Sequence, residues 1–243
     1  MKCNLCNEEK VLIKKSHLIP DFFFKTLYDE HSRLIKTDFV QTFNGVNNDS
    51  TPPTSTYEKH ILCAKCDNEI IGRYESYYAK FVFHTKDYVK RTFPEPTKIN
   101  HYEYTGLDYN SSNIFFLTLL WRGNLSKRPE FIDVNLEPKL AENLRKQILI
   151  GNYDENSVRI TALKLSEGSN FSRMVSQFKK IENYYTVILR DLLVFFHLEN
   201  DTIYELSHNH RIDKFGKWIL PEIPKWKEEE FIVSLINPKK WKT

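Results

Sequence analysis

The chain has 243 residues, 41% of them hydrophobic and 14% aromatic, enough to bury one substantial core or two modest ones. Only seven glycines stand against a Gly-rich phosphate loop, and even the apolar run Asn113 to Trp121 stops at Arg122, far short of the roughly 20 residues of a membrane span. A soluble protein is expected, and its net charge of +3 permits a polyanionic partner without demanding one.

The first element is a cysteine pair, Cys3-Asn4-Leu5-Cys6, matched later by Cys63-Ala64-Lys65-Cys66, and these are all the cysteines of the chain. Each pair presents two thiolates from one tight turn, so the two turns can close a tetrahedral all-cysteine site of the structural kind, with no position open for substrate. Zinc in that site holds a module together rather than doing chemistry. Ordinary buried cysteines and a disulfide framework are the competing readings. Against the disulfides, nothing at the N-terminus reads as a signal peptide and a chain this long does not need staples, which places the protein in a reducing cytoplasm.

After the first pair, Lys10 to Ile19 fits two short strands, with Pro20 ending the second. Asp21 to Tyr28 reads as a short helix, Arg33 to Phe43 as extended chain and Asn44 to Thr56 as a surface loop. Ile70, Tyr74, Tyr77 and Phe81 recur at helical spacing, which predicts a helix from the second cysteine pair to about Phe83 and a core-facing aromatic stripe. Beyond Pro94-Glu95-Pro96, helices are predicted over Asn113–Gly123 and over Leu136–Ile150, the second with Pro138 in its first turn and Gly151 past its end. Strands follow at Val158–Leu165, Tyr184–Leu189 and Leu192–Leu198, with a turn at Arg190-Asp191, and another strand is expected at Phe231–Ile236. The fold class is therefore α+β: an N-terminal treble-clef, ββα-metal-like zinc module (1–95), a helical middle region (96–152) and a small C-terminal antiparallel sheet (153–243).

His17 follows Cys6 on the presumed second strand and precedes Pro20, so the chain reads C-x-x-C, H-x-x-P, C-x-x-C. That order resembles the HNH, or His-Me finger, nucleases over roughly residues 1–80. The resemblance implies a ββα-metal site in which His17 is the general base on a water that attacks phosphorus and a divalent metal stabilises the leaving oxygen. Where the family has an asparagine before the second pair this chain has Glu58, and where it has a histidine after the pair this chain has Asp67. Both offer oxygen ligands suited to Mg2+ or Mn2+. Asp67 and Glu75 are eight residues apart, about 12 Å along a helix, and cannot easily share one ion; Asp67 is the preferred ligand, Glu75 a partner for Arg73 or another basic neighbour, and His60 a further candidate. The chain also resembles a group of bacterial HNH-like proteins in Ser16 to Pro20, in Cys63 to Asp67 with Tyr74-Glu75, and in a helix ending Trp121-Arg122. In that setting Arg122 either ion-pairs with an acidic residue on the zinc helix or grips a scissile phosphate.

The expected activity is metal-dependent phosphodiester hydrolysis of nucleic acid, DNA more than RNA, with pairing of two copies left open. The alternative is a catalytically inactive zinc module, in which Lys80, Lys86, Lys90 and Arg91, with His84, form a phosphate-contacting stripe along and just past the zinc helix. A protein-interaction unit propped up by zinc is the third reading.

Overall fold

Cys63 and Cys66 open a helix, α1, that is π-helical over Lys65–Ile71, α-helical over Gly72–Tyr78 and π-helical again over Ala79–Phe83. The computed structural model that shows this describes residues 1–24, 56–85, 87–92, 99–169, 171, 174–198 and 210–236. They group into two units, one of Met1–Thr85 with Asn110–Ser157 and the other of Lys86–Tyr109 with Val158–Thr243. These boundaries differ from the three successive segments expected: the helical pair belongs with the cysteine turns, and the chain between them belongs with the sheet.

In the first unit, the π-helical turns of α1 carry more than 3.6 residues each and so rotate its buried face. That face runs through Cys66, Ile71, Tyr74, Tyr78 and Val82, whereas Phe81, placed inward by plain helical spacing, is 45% exposed. Against α1 lies α2 (Tyr109–Leu125), buried from Ser112 to Gly123, as suits a helix apolar on all sides. Tyr78 stacks on Phe115 with ring centroids 3.9 Å apart and meets Phe116 edge-on at 5.2 Å, pairs that add roughly 0.5–1.5 kcal/mol each beyond area burial. A third helix, α3 (Pro138–Ile150), has the expected proline start and ends at Gly151 with φ 86°. It is tied on by Tyr74, whose hydroxyl donates to the Ile148 carbonyl at 3.1 Å.

The strand pairing near the cysteines is not the local hairpin expected within Lys10–Ile19. β1 (Ser16–His17) pairs antiparallel with β2 (Tyr57–Glu58), and Leu12 bridges Cys63. Periodicity marks a strand but carries no information on a partner some forty residues away. A 3-10 turn, Asp21–Phe23, stands where the helix to Tyr28 was expected. Residues beyond 24, the extended Arg33–Phe43 and the loop up to residue 55 lie outside the described residues.

The second unit holds a seven-stranded sheet in place of the small antiparallel one expected. Its strands are β3 (Tyr88–Thr92), β4 (Asn100–Tyr104), β5 (Val158–Leu165), β6 (Lys179–Ile181), β7 (Tyr184–Leu189), β8 (Leu192–Leu198) and β9 (Trp218–Ile223), in the order β3-β4-β9-β5-β8-β7-β6. The sheet is mixed, because β5 and β9 run parallel while the other pairs are antiparallel. The tight turn between β7 and β8 falls at Arg190-Asp191 as predicted, with Arg190 at φ 60°. The run Phe231–Ile236, expected as a strand, is instead the end of α4 (Lys225–Ile236). Its N-terminal half, Lys225 to Glu230, consists largely of good helix formers after Pro224, and a six-residue apolar run alone cannot tell strand from buried helix. Glu228 on α4 is 2% exposed and accepts the Ser166 backbone N–H, holding the helix to the end of β5. Among the described residues, no helix is long and apolar enough to cross a membrane.

Candidate metal centre

The first cysteine turn is shaped by its backbone: the Asn7 N–H donates to the Cys3 carbonyl at 2.9 Å, the Cys3 N–H to Glu8 at 3.0 Å, and Asn7 sits at φ 61°, a conformation asparagine tolerates. The second turn approaches through His60 at φ 57°, whose N–H donates to the Ile13 carbonyl at 3.1 Å. Asn4 joins the two turns, its backbone and side-chain N–H groups both reaching the Ile61 carbonyl, at 3.1 and 2.8 Å. The Cys63 N–H donates to the Cys3 sulfur at 3.3 Å. Together these bonds bring the sulfurs of Cys3, Cys6, Cys63 and Cys66 within 4.8 Å of one another.

That spacing fits a tetrahedral thiolate site. Metal–sulfur bonds of about 2.3 Å set the four sulfurs roughly 3.8 Å apart, so a small contraction completes the cage. All four are free thiols, three of them buried and Cys6 half-buried. Burial pushes the Cys66 and Cys6 thiols up, neighbouring cysteines adding to the rise at Cys66. Burial acts the same way on Cys3, yet that thiol is lowered to about 7 by the backbone N–H groups of Cys6, Cys63 and Leu5. One ligand is thus close to ionised near neutrality, and the others release protons as a cation such as zinc enters.

Next to this centre lies the histidine strand. Arg122, on α2 and 1% exposed, donates through Nη1 to the His17 carbonyl. Its Nη2 meets Glu75 Oε1 at 2.7 Å and its Nε the Thr118 carbonyl at 3.2 Å. The strand carrying His17 is therefore held by the buried Arg122, and of the two roles open to Arg122 the structure shows the ion pair with an acidic residue of α1. Arg73 does not take Glu75; its guanidinium donates to the Tyr74 hydroxyl.

The expected acidic ligands are engaged elsewhere. Asp67 Oδ1 accepts from the Ser16 hydroxyl at 2.5 Å, and Glu58 Oε2 accepts from the Ser126 hydroxyl at 2.9 Å and the Lys127 N–H at 3.2 Å. Ser16 lies opposite Glu58 and His17 opposite Tyr57. Since successive strand residues point to opposite faces, Asp67 and Glu58 share the Ser16 face, while His17 and Tyr57 occupy the other. Among the described residues, the four cysteines are the one group of three or more His, Cys, Asp or Glu side chains close enough to hold an ion.

The predicted basic stripe is divided between units. Lys80 sits on α1 over the Phe81 ring at 4.9 Å, with His84 just past the helix end. Lys90 and Arg91 lie on β3 in the sheet, where Lys90 meets Glu222 at 3.3 Å and Arg91 meets Glu103 at 3.1 Å. Lys86 lies outside the described residues. Two residues were not singled out from the sequence at all, Tyr57 and Lys15, whose Nζ stands 4.9 Å from the Tyr57 ring centroid. The alternation Lys15-Ser16-His17 is the available signal, but Tyr57 lies some forty residues further along the sequence. Comparison with protein-family models, with curated proteins and with solved structures gave no match for the chain.

Proposed function

We propose that the first unit is a zinc-stapled, treble-clef module of the HNH kind that hydrolyses phosphodiester bonds in nucleic acid, DNA more than RNA, with His17 as general base. The observation that carries this reading is the half-exposed His17 on a strand locked by buried Arg122 beside the cysteine cage. A buried arginine costs desolvation, and spending its hydrogen bond on the main chain of one histidine is what positioning a reactive ring requires. In the reaction, a water oxygen attacks phosphorus as the His17 ring takes the water's proton. The bond from phosphorus to the leaving oxygen breaks, and that oxygen is protonated from solvent. Mg2+ or Mn2+, when bound, supplies Lewis-acid stabilisation of the leaving oxygen. Such ions keep several waters and take one or two carboxylates plus substrate phosphates, so a preformed group of three is not required. Asp67 is the carboxylate this reading assigns, and it would have to leave the Ser16 hydroxyl to serve.

The catalytically inactive binding module is favoured by one observation, the hairpin register that turns Asp67 and Glu58 away from the His17 face. Plasmid cleavage by wild type and His17→Ala with Mg2+ or Mn2+, paired with elemental analysis for zinc, separates the two. Hydrolysis predicts a loss of about 100-fold or more in the variant, with about one zinc per chain and an unchanged melting temperature. Full cleavage by His17→Ala removes the base assignment. Absence of cleavage in both, with salt-sensitive DNA binding, establishes the binding module.

A further inference from the structure

The face of the hairpin that carries His17 has a chemistry of its own. Tyr57 lies directly across from His17, a placement that brings Cβ atoms to about 5 Å, and Lys15, just before β1, reaches the same Tyr57 side chain. Lys15 is exposed, and its ammonium rests over the Tyr57 ring, where the ring's negative face holds a cation without neutralising it. The Tyr57 main chain is itself held, its carbonyl accepting from Arg128 Nη1 at 3.5 Å. Carboxylates that would cancel this charge are committed to the other face: Asp67 to Ser16, Glu58 to Ser126 and Lys127. Exposed Lys14 and Lys59 flank the same hairpin.

We propose that Lys15, Tyr57 and His17 form a phosphate-binding face in which the Lys15 ammonium and the Tyr57 hydroxyl hold a nucleic-acid phosphodiester against the His17 ring. The inference rests on the reading of this unit as directed at phosphodiesters, and it names the groups that bind rather than those that activate water. An ammonium kept over an aromatic ring is pre-aimed, so less side-chain freedom is lost when a phosphate oxygen arrives. The Tyr57 hydroxyl supplies a second donor, and neither group needs a metal to act.

The test uses full-length, zinc-loaded protein and two probes, inorganic phosphate and the dinucleotide thymidylyl-thymidine, followed by NMR of the histidine and tyrosine rings. Both probes are expected to move the His17 and Tyr57 resonances; Lys15→Gln weakens the apparent Kd at least fivefold, Lys15→Arg largely retains it, and Lys180→Gln, on β6 of the sheet, leaves it unchanged. No shift at those two rings, or an unchanged Kd in Lys15→Gln, overturns the inference. Cleavage lost in His17→Ala but with wild-type KM in Lys15→Gln also overturns it while leaving hydrolysis standing. A phosphate response that persists in a protein without cleavage supports the face and removes hydrolysis instead.

Discussion

Arg122 concentrates the physical stakes of the first unit in one side chain. Its guanidinium is buried, and among the described residues the carboxylate it meets is that of Glu75, whose side chain is 24% exposed. Glu75→Ala leaves that charge buried without a counter-ion, which is expected to cost about 3 kcal/mol, the low end for a broken buried pair because Glu75 is partly solvated. Glu75→Gln, still a hydrogen-bond acceptor, is expected to lose less. Denaturant midpoints at constant slope read both, and a change within about 0.5 kcal/mol for Glu75→Ala shows that the guanidinium finds other solvation. At this scale the sequence was informative about type and poor about pairing. Cysteine spacing fixes which atoms can share an ion, so the cage was legible. Which acid Arg122 meets, and which way Asp67 turns, depend on π-helical turns and a long-range register that residue spacing does not encode.

Elements whose identity rests on local chemistry were legible, the three strands with their bounds and α3 with its end, its start falling at Pro138 rather than Leu136. β5, β7 and β8 alternate or run continuously apolar between turn residues, and α3 carries both its proline start and its glycine stop. β4 and β9 were not, for reasons visible in their residues. β4 reads Asn-His-Tyr-Glu-Tyr, and β9 contains Pro221, opposite His101, a residue that ordinarily argues against an interior strand. The turn before β9 is equally demanding. Gly216 sits at φ 76°, its carbonyl accepts from the Leu107 N–H at 3.0 Å, and an added Cβ would lie 2.2 Å from the Leu107 carbonyl oxygen. Gly216→Ala is expected to destabilise the sheet unit by on the order of 3 kcal/mol, since backbone rather than a movable side chain fills the space. Thermal unfolding followed by near-UV signal checks this, with zinc content unchanged because the cage lies in the other unit; a shift under about 1 °C means that the turn relaxes at little cost.

For the molecule as a whole, a metal held by the four thiols would link stability to pH. The Cys66 and Cys6 thiols are pushed up and Cys3 is lowered to about 7, so an ion entering the cage at neutral pH displaces protons, and its affinity rises with pH. Zinc is expected to be held at a pH of about 8 and released as the pH falls towards about 5, with the melting temperature of the first unit falling in parallel; a chromogenic zinc-release assay across that range measures it. Retention that does not vary with pH would mean that the thiols are not the ligands. At this scale the sequence pointed to an α+β chain but not to its grouping, because a boundary drawn at Pro94-Glu95-Pro96 follows composition while the packing follows contacts.

The path of the chain between the units bears on how the protein is made. All four cysteines have been synthesised by Cys66, and the helices of their unit by Ile150, whereas β4 waits for β9 at Trp218–Ile223. During that interval the nascent chain carries the complete set of four cysteines together with a strand edge still without its β9 partner, the kind of surface most prone to pairing with the wrong chain. An ion taken up at that stage would secure one half of the polypeptide before the other can close, so the stage at which a chaperone is expected to matter most falls between synthesis of α3 and synthesis of β9.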